Sequence, residues 1–205
     1  AMVYRRLNDA KKLIFHFSRV IKTKKFNVID LCNYGYWRCF DKEWSQSDFY
    51  NYGRFVDENL DIIPQNQLIE ISQTSGPKIR LGFLSSDIIQ GHSITYFLKT
   101  VLSNYDKNKF EIVLIISNSK EDQSTENFKN LVNETINISK LNNVDAVNKV
   151  RKLNLDFVID LMGYTSTQRL ELFKNRMAKN QIIWMGYCNT TGLKNMDYII
   201  SDPNL

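Results

Sequence analysis

A chain of 205 residues that is 43% hydrophobic, 12% aromatic and 24% charged has enough apolar mass for a globular core. Disorder is excluded as its main state, 8 Gly and 3 Pro exclude collagen-like and linker-like classes, and no apolar run reaches the roughly 18 residues of a membrane-spanning helix. The net charge of +5 is uneven: residues 1–25 hold eight basic residues against Asp9 alone and carry +7, leaving the rest near −2.

The first predicted element is an amphipathic helix over 3–24, with Leu7, Ala10, Ile14, Phe17 and Ile21 at helical spacing. Its basic residues fit a solvated helix face. They also fit a surface for nucleic acid, an anionic membrane or an acidic partner. No nucleic-acid motif accompanies them, so no nucleic-acid partner is expected. Apolar residues recur over 27–42 (Val28, Leu31, Cys32, Trp37, Phe40) and over 46–60 (Phe49, Tyr52, Phe55, Val56, Leu60). Ser45 or Ser47 is the predicted cap of the latter helix. Residues 61–77 lose periodicity and end Gln-Thr-Ser-Gly-Pro, which places a boundary there. The expected division is a helical lead-in, 1–76, and a second region, 77–205.

After Pro77 near-continuous apolar runs alternate with helical stretches. Strands are predicted at 78–84, 110–117, 135–139, 155–161, 181–187 and 197–201, and helices at 93–104, 123–132, 143–153 and 168–177. Such strands belong to a parallel sheet covered on both faces. The expected fold is therefore α/β, a Rossmann-like parallel sheet with helices on both faces, preceded by a small helical region.

In an open parallel sheet ligands bind outside the carboxyl ends of the strands. Three loops there are candidates. The first runs Ser85-Ser86-Asp87, turns at Gly91 and opens a helix at His92-Ser93. His92 is the one histidine after residue 77. It can serve as acid, base or hydrogen-bond donor, or simply cap the helix. The loop is not G-x-G-x-x-G, so no dinucleotide fingerprint is present. The second loop is Met162-Gly163-Tyr164-Thr165. The third is Gly186-Tyr187-Cys188-Asn189-Thr190-Thr191-Gly192, either a plain turn or a loop offering backbone N–H groups to a ligand. Cys32, Cys39 and Cys188 form no C-x-x-C motif, and Cys188 reads as a structural thiol. An odd thiol count and no signal peptide suggest the cytoplasm.

Several of these motifs resemble one family. Lys78-Ile79-Arg80-Leu81-Gly82-Phe83-Leu84-Ser85-Ser86-Asp87 followed by His92 resembles the opening of the catalytic region of O-GlcNAc-transferase-like glycosyltransferases, the family that includes the plant SPINDLY proteins. The likeness continues through Asp106–Ile112. It is strongest from Asp160 to Thr165, Arg169, Leu172-Phe173 and Gln181. It then runs through Trp184–Tyr187, Thr190, Gly192 and Met196–Asp202. More weakly, Cys32–Trp44 resembles the last superhelical, TPR-like repeat that precedes that region. There are departures. The loop after Asp87 is one residue longer, a family histidine is absent from Glu134–Asn137, a Pro-Gly pair is Cys188-Asn189, and an acidic position is Asn148.

The resemblance implies the amino-terminal, acceptor-side half of a two-domain (GT-B) glycosyltransferase. Its donor is a UDP-sugar and its acceptor a protein or peptide hydroxyl or amide. No other cofactor and no metal is expected. His92 is implied as the catalytic residue. Ser86, Asp87, Gly163, Tyr164, Thr165, Gly186, Tyr187, Thr190 and Gly192 are implied as substrate-binding residues. The family's second domain supplies most nucleotide-sugar contacts, so residues 1–205 alone are expected to be inactive. The alternative expectation is a non-catalytic peptide-binding module that pairs with another chain.

Overall fold

A computed structural model describes residues 9–72, 76–165 and 169–202. Residues 3–8 of the first predicted helix, and residue 168, lie outside the described residues. Helix α1 (Ala10–Lys22) starts at Asp9, whose carboxylate accepts from the Lys12 N–H at 3.1 Å. Helices α2 (Val28–Arg38) and α3 (Gln46–Glu58) each begin with a capping box, Asn27 with Asp30 and Ser45 with Asp48. Of the two predicted caps of α3, Ser45 is the one used.

The rest alternates strand and helix: β1 (Ile79–Ser85), α4 (Ser93–Asn104), β2 (Phe110–Ile116), α5 (Gln123–Lys129), β3 (Glu134–Asn137), α6 (Asn143–Arg151), β4 (Phe157–Asp160), α7 (Leu170–Lys174), β5 (Asn180–Trp184) and β6 (Tyr198–Ile200). All five strand pairings are parallel, in the order β3-β2-β1-β4-β5-β6. The order reverses at β1, so the crevice between the exits of β1 and β4 is the topological switch point.

Period-two alternation sends the strand side chains to two faces. Ile112, Leu114 and Ile116 of β2 pack with Ile94, Leu98 and Leu102 of α4 and Phe128 of α5. Val113 and Ile115 face the other way, toward Ala146, Val147 and Val150 of α6. That second core also takes in Leu13, Phe17, Leu31, Trp37, Tyr52 and Val56. The lead-in helices thus share one apolar core with one face of the sheet.

β5 ends three residues before the run 181–187 predicts. Met185 has φ +71° and the Gly186 N–H donates back to the Trp184 carbonyl at 2.9 Å, which turns the chain out of the ladder. β4 likewise stops at Asp160, whose carboxylate takes the next two turn N–H groups.

A polar clasp ties lead-in to sheet. Asp57, 1% exposed, accepts from Lys174 Nζ at 2.9 Å and from the Lys194 N–H at 3.2 Å. Asp57→Ala would leave the Lys174 ammonium largely buried and without its carboxylate. A loss of about 3 kcal/mol is expected, read as a lower urea midpoint. An unchanged midpoint would mean the clasp does not hold the junction.

Candidate active site

The exits of β1, β4 and β5 surround a cleft of about 320 Å³. Asp87, His92, Ser93, Leu161, Tyr164, Thr165, Met185 and Gly186 line it from the sheet side. Asn33, Tyr36 and Trp37 of α2 also line it, as does Phe97 of α4, 63% exposed.

The β1 exit is held by its own side chains. Ser85 Oγ accepts from the Asp87 N–H at 2.9 Å, and Ser86 Oγ donates to Asp87 Oδ1 at 2.9 Å. The Ser86 N–H lies 3.1 Å from Met162 Sδ, which links this exit to that of β4. Two more bonds fix the following turn: Thr125 Oγ1 donates to the Ile88 carbonyl at 2.7 Å, and the Gln90 N–H donates to Asp122 Oδ2 at 2.7 Å. Gly91, at φ +79°, then turns the chain into α4.

His92 sits at the N-cap of α4 but makes no side-chain capping bond. Its Nε2 lies 3.9 Å from Asp87 Oδ2, while Nδ1 is buried without a hydrogen-bond partner. The helix-capping role open to it in the sequence is therefore not the one it takes. Because no side chain caps α4, its first N–H groups, at Ser93 and Ile94 beside the cleft, favour an anion or an oxygen acceptor.

Asp160 shapes the β4 exit. It is 1% exposed and accepts from the N–H groups of Met162 at 2.9 Å and Gly163 at 3.1 Å. Burial pushes its carboxyl up to about 6, against the pull of those two hydrogen bonds. The folded chain therefore holds the proton more tightly than the unfolded one. Stability from this group is full below the ordinary carboxylate value and is lost as pH rises through about 6, a change of about 3 kcal/mol. Asp160→Asn removes the titration but sets its amide N–H₂ against the Gly163 N–H. The variant should be less stable than wild type near pH 4, and the deficit should shrink toward pH 7. Parallel urea titrations of both proteins across that range check this; a constant deficit would contradict it.

The predicted site residues fall into two groups. Asp87, His92, Tyr164, Thr165 and Gly186 come together at the cleft. Ser86, Gly163, Tyr187, Thr190 and Gly192 do not line it. Tyr187 is 4% exposed and packs on Tyr164 at 5.1 Å between ring centres. Tyr164 in turn donates its hydroxyl to the Thr191 carbonyl at 2.7 Å. Gly192, at φ +63°, lets the loop run against α3, where an added Cβ would meet Gly53 Cα at 2.5 Å. Thr190 Oγ1 accepts from the Gly192 N–H at 3.0 Å and stiffens that loop.

Cys39, the C-cap of α2, has its Sγ 3.8 Å from the Gly35 carbonyl. Cys39 Sγ also lies 3.6 Å from the Tyr187 hydroxyl. Interaction with Cys188, and then burial, pushes the Cys39 thiol up, while interaction with Cys39 pulls the Cys188 thiol, in the loop after β5, down to about 6. Sequence reasoning missed Asn33, Tyr36 and Trp37.

The sequence profile of glycosyl transferase family 41 matches residues 56–204. The chain belongs to this family. A SPINDLY protein of Arabidopsis thaliana, named a probable UDP-N-acetylglucosamine–peptide N-acetylglucosaminyltransferase, is 31% identical over 128 residues, covering 60% of this chain and 14% of the plant protein. The UDP-N-acetylglucosamine–peptide N-acetylglucosaminyltransferase of Caenorhabditis elegans is 31% identical over 136 residues, covering 64% of this chain and 12% of the worm protein. In structure, a mutant O-GlcNAc transferase of Thermobaculum terrenum superposes with a TM-score of 0.81 at 18% identity, over 94% of this chain and 37% of that one. The Rossmann-like α/β fold is thus shared with a solved transferase. The family 41 chain spans a minor part of each of these relatives. Among the described residues no helix is long and apolar enough to cross a membrane, and no group of three or more His, Cys, Asp and Glu could hold a metal ion.

Proposed function

We propose that residues 1–205 form the acceptor-side half of a glycosyltransferase that moves a sugar, N-acetylglucosamine in the first instance, from a UDP-sugar to a protein hydroxyl. The observation that carries this reading is the placement of His92 and Asp87. They stand 3.9 Å apart at the switch point of the sheet, at the uncapped start of α4, facing aromatic side chains of α2. The names of the plant and worm relatives supply the donor and the peptide acceptor.

The chemistry is a displacement at the anomeric carbon. The acceptor hydroxyl oxygen forms the new bond as the bond to the UDP oxygen breaks. His92 Nε2 takes the hydroxyl proton, and the Asp87 carboxylate offsets the charge that forms on the ring. Tyr36 offers a flat apolar face to an acceptor chain or a sugar, backed by Trp37 from the core. The leaving diphosphate is steadied by helix N–H groups and by basic side chains from the rest of the longer protein. Calorimetry tests this. UDP should bind a longer protein containing residues 1–205 at least about tenfold more tightly than residues 1–205 alone. Equal affinity would place the nucleotide site within this chain and overturn the division of labour. Turnover by residues 1–205 alone is expected to be negligible; ordinary enzymatic rates would contradict the same point.

A further inference from the structure

The proposed transfer leaves the outer face of α4 almost unused. Ile94, Leu98 and Leu102 bury its inner face in the core, which fixes the helix in place. Outward, the consecutive residues Tyr96 and Phe97 are 69% and 63% exposed. Scattered exposed apolar side chains are ordinary, but adjacent aromatic ones are typical anchors of a binding surface. The two rings serve different hollows. Phe97 lines the cleft, and Tyr96 lines a second cavity of about 250 Å³ between α4 and α5.

That second cavity is built beside His92. Gln90 and Gly91 line it, in the turn that delivers His92 to the cleft. The turn is tied down, because the Gln90 N–H donates to Asp122 at 2.7 Å. Ser124 and Asn127 of α5 add polar groups, and Phe128 adds an apolar one. Lys99, one helical turn after Tyr96, is the one charged side chain among the described residues that line the cavity. No ion pair among the described residues involves Lys99. The volume is smaller than the roughly 300–1,000 Å³ of a small-molecule site and suits one side chain of a longer ligand.

We propose that this cavity is a second acceptor subsite. It takes an aspartate or glutamate side chain of the acceptor polypeptide, a few residues from the hydroxyl that enters the cleft, and the chain between them crosses Tyr96 and Phe97. The inference rests on the transferase reading above, because that reading puts a polypeptide in the cleft. Charge complementarity selects the occupant: an acidic side chain meets the unpaired Lys99 ammonium. No lysine or arginine is among the described residues that line the cleft itself, so the same side chain gains no such partner there. The shared turn from Gln90 to His92 holds the two hollows at a fixed separation. The preference for an acidic residue is therefore tied to one position of the acceptor.

The test is fluorescence anisotropy of labelled peptides with the 205-residue chain. Each peptide carries one central serine among small neutral residues, and a single glutamate or a single lysine is moved through the flanking positions. At one position glutamate should bind at least about tenfold more tightly than lysine, and elsewhere the two should be nearly equal. High salt should shrink the difference. Lys99→Ala should abolish the preference, and Lys99→Glu should reverse it. The inference is overturned if no peptide binds, if no position shows the preference, or if Lys99→Ala keeps it. It is also overturned if glutamate helps equally at every position, which would mark general attraction to the basic residues of α1. A longer protein containing residues 1–205 that lacks the preference would overturn it too, since the rest of that protein would then cover α4. The preference and its position are read on wild type, so a variant that fails to fold does not spare the proposal. The transferase reading fails separately: a longer protein that binds peptide with this preference yet transfers no sugar would overturn that reading and leave the subsite standing.

Discussion

Gly186→Ala is expected to leave no folded chain. A Cβ at Gly186 would stand 1.7 Å from the Leu161 carbonyl oxygen and 2.5 Å from its carbon. Neither atom can yield. The Leu161 N–H is bonded to the Leu84 carbonyl at 3.1 Å, and the next two N–H groups are held by Asp160. Relief would require the exits of β4 and β5 to separate, and with them the cleft. The cost is expected to exceed about 4 kcal/mol, most of the stability of an ordinary domain. Gly91→Ala is the control. Gly91 also turns the chain beside the cleft, at φ +79°, but nothing lies within 4 Å of an added Cβ. It should cost only about 1–2 kcal/mol, the penalty for a left-handed alanine. Circular-dichroism melts of the two variants separate these outcomes. A cooperative, wild-type melt for Gly186→Ala would show that the two exits are not packed as described.

His92→Ala in a longer protein that contains this chain should lower kcat by about 100- to 10,000-fold, the usual worth of a positioned acid or base. The KM for the UDP-sugar should change little if, as proposed, most donor contacts come from outside residues 1–205. Asp87→Asn should fall between the two, by about tenfold, since the ring remains and only its charge partner is lost. The fold should survive both changes. His92 caps nothing, and its side chain is 39% exposed. The pattern to look for in initial rates is a kcat effect with donor KM preserved. A rise in acceptor KM at unchanged kcat would make His92 a binding residue and remove it from the chemistry.

Much of this site was legible because it lies on loops that end strongly apolar strands. Ile112–Ile116 reads as a buried parallel strand on any hydrophobicity scale, and the rule for parallel sheets then points to Ser85–Asp87 and Met162–Thr165. The polar exits and the single histidine after residue 77 complete the signal. What the sequence did not disclose depends on packing between distant segments. Asn33, Tyr36 and Trp37 look like ordinary helix residues until α2 lies over the β4 and β5 exits. The approach of α3 to the loop after β5, where Gly53 meets Gly192, has no counterpart in any local motif. Strand ends were the least readable. Met185 at φ +71° stops β5, and no local preference of Met announces that conformation.

The central claim is that this family 41 chain supplies one catalytic wall of a sugar-transferring enzyme. The most direct measurement is transfer of labelled N-acetylglucosamine from its UDP donor to protein by a longer protein containing residues 1–205, with wild-type His92 and with His92→Ala. Transfer by the wild type is expected, with a loss of about 100-fold or more in the variant. Equal transfer by the two proteins would contradict it, and so would a wild type that binds UDP-sugar and peptide yet transfers nothing.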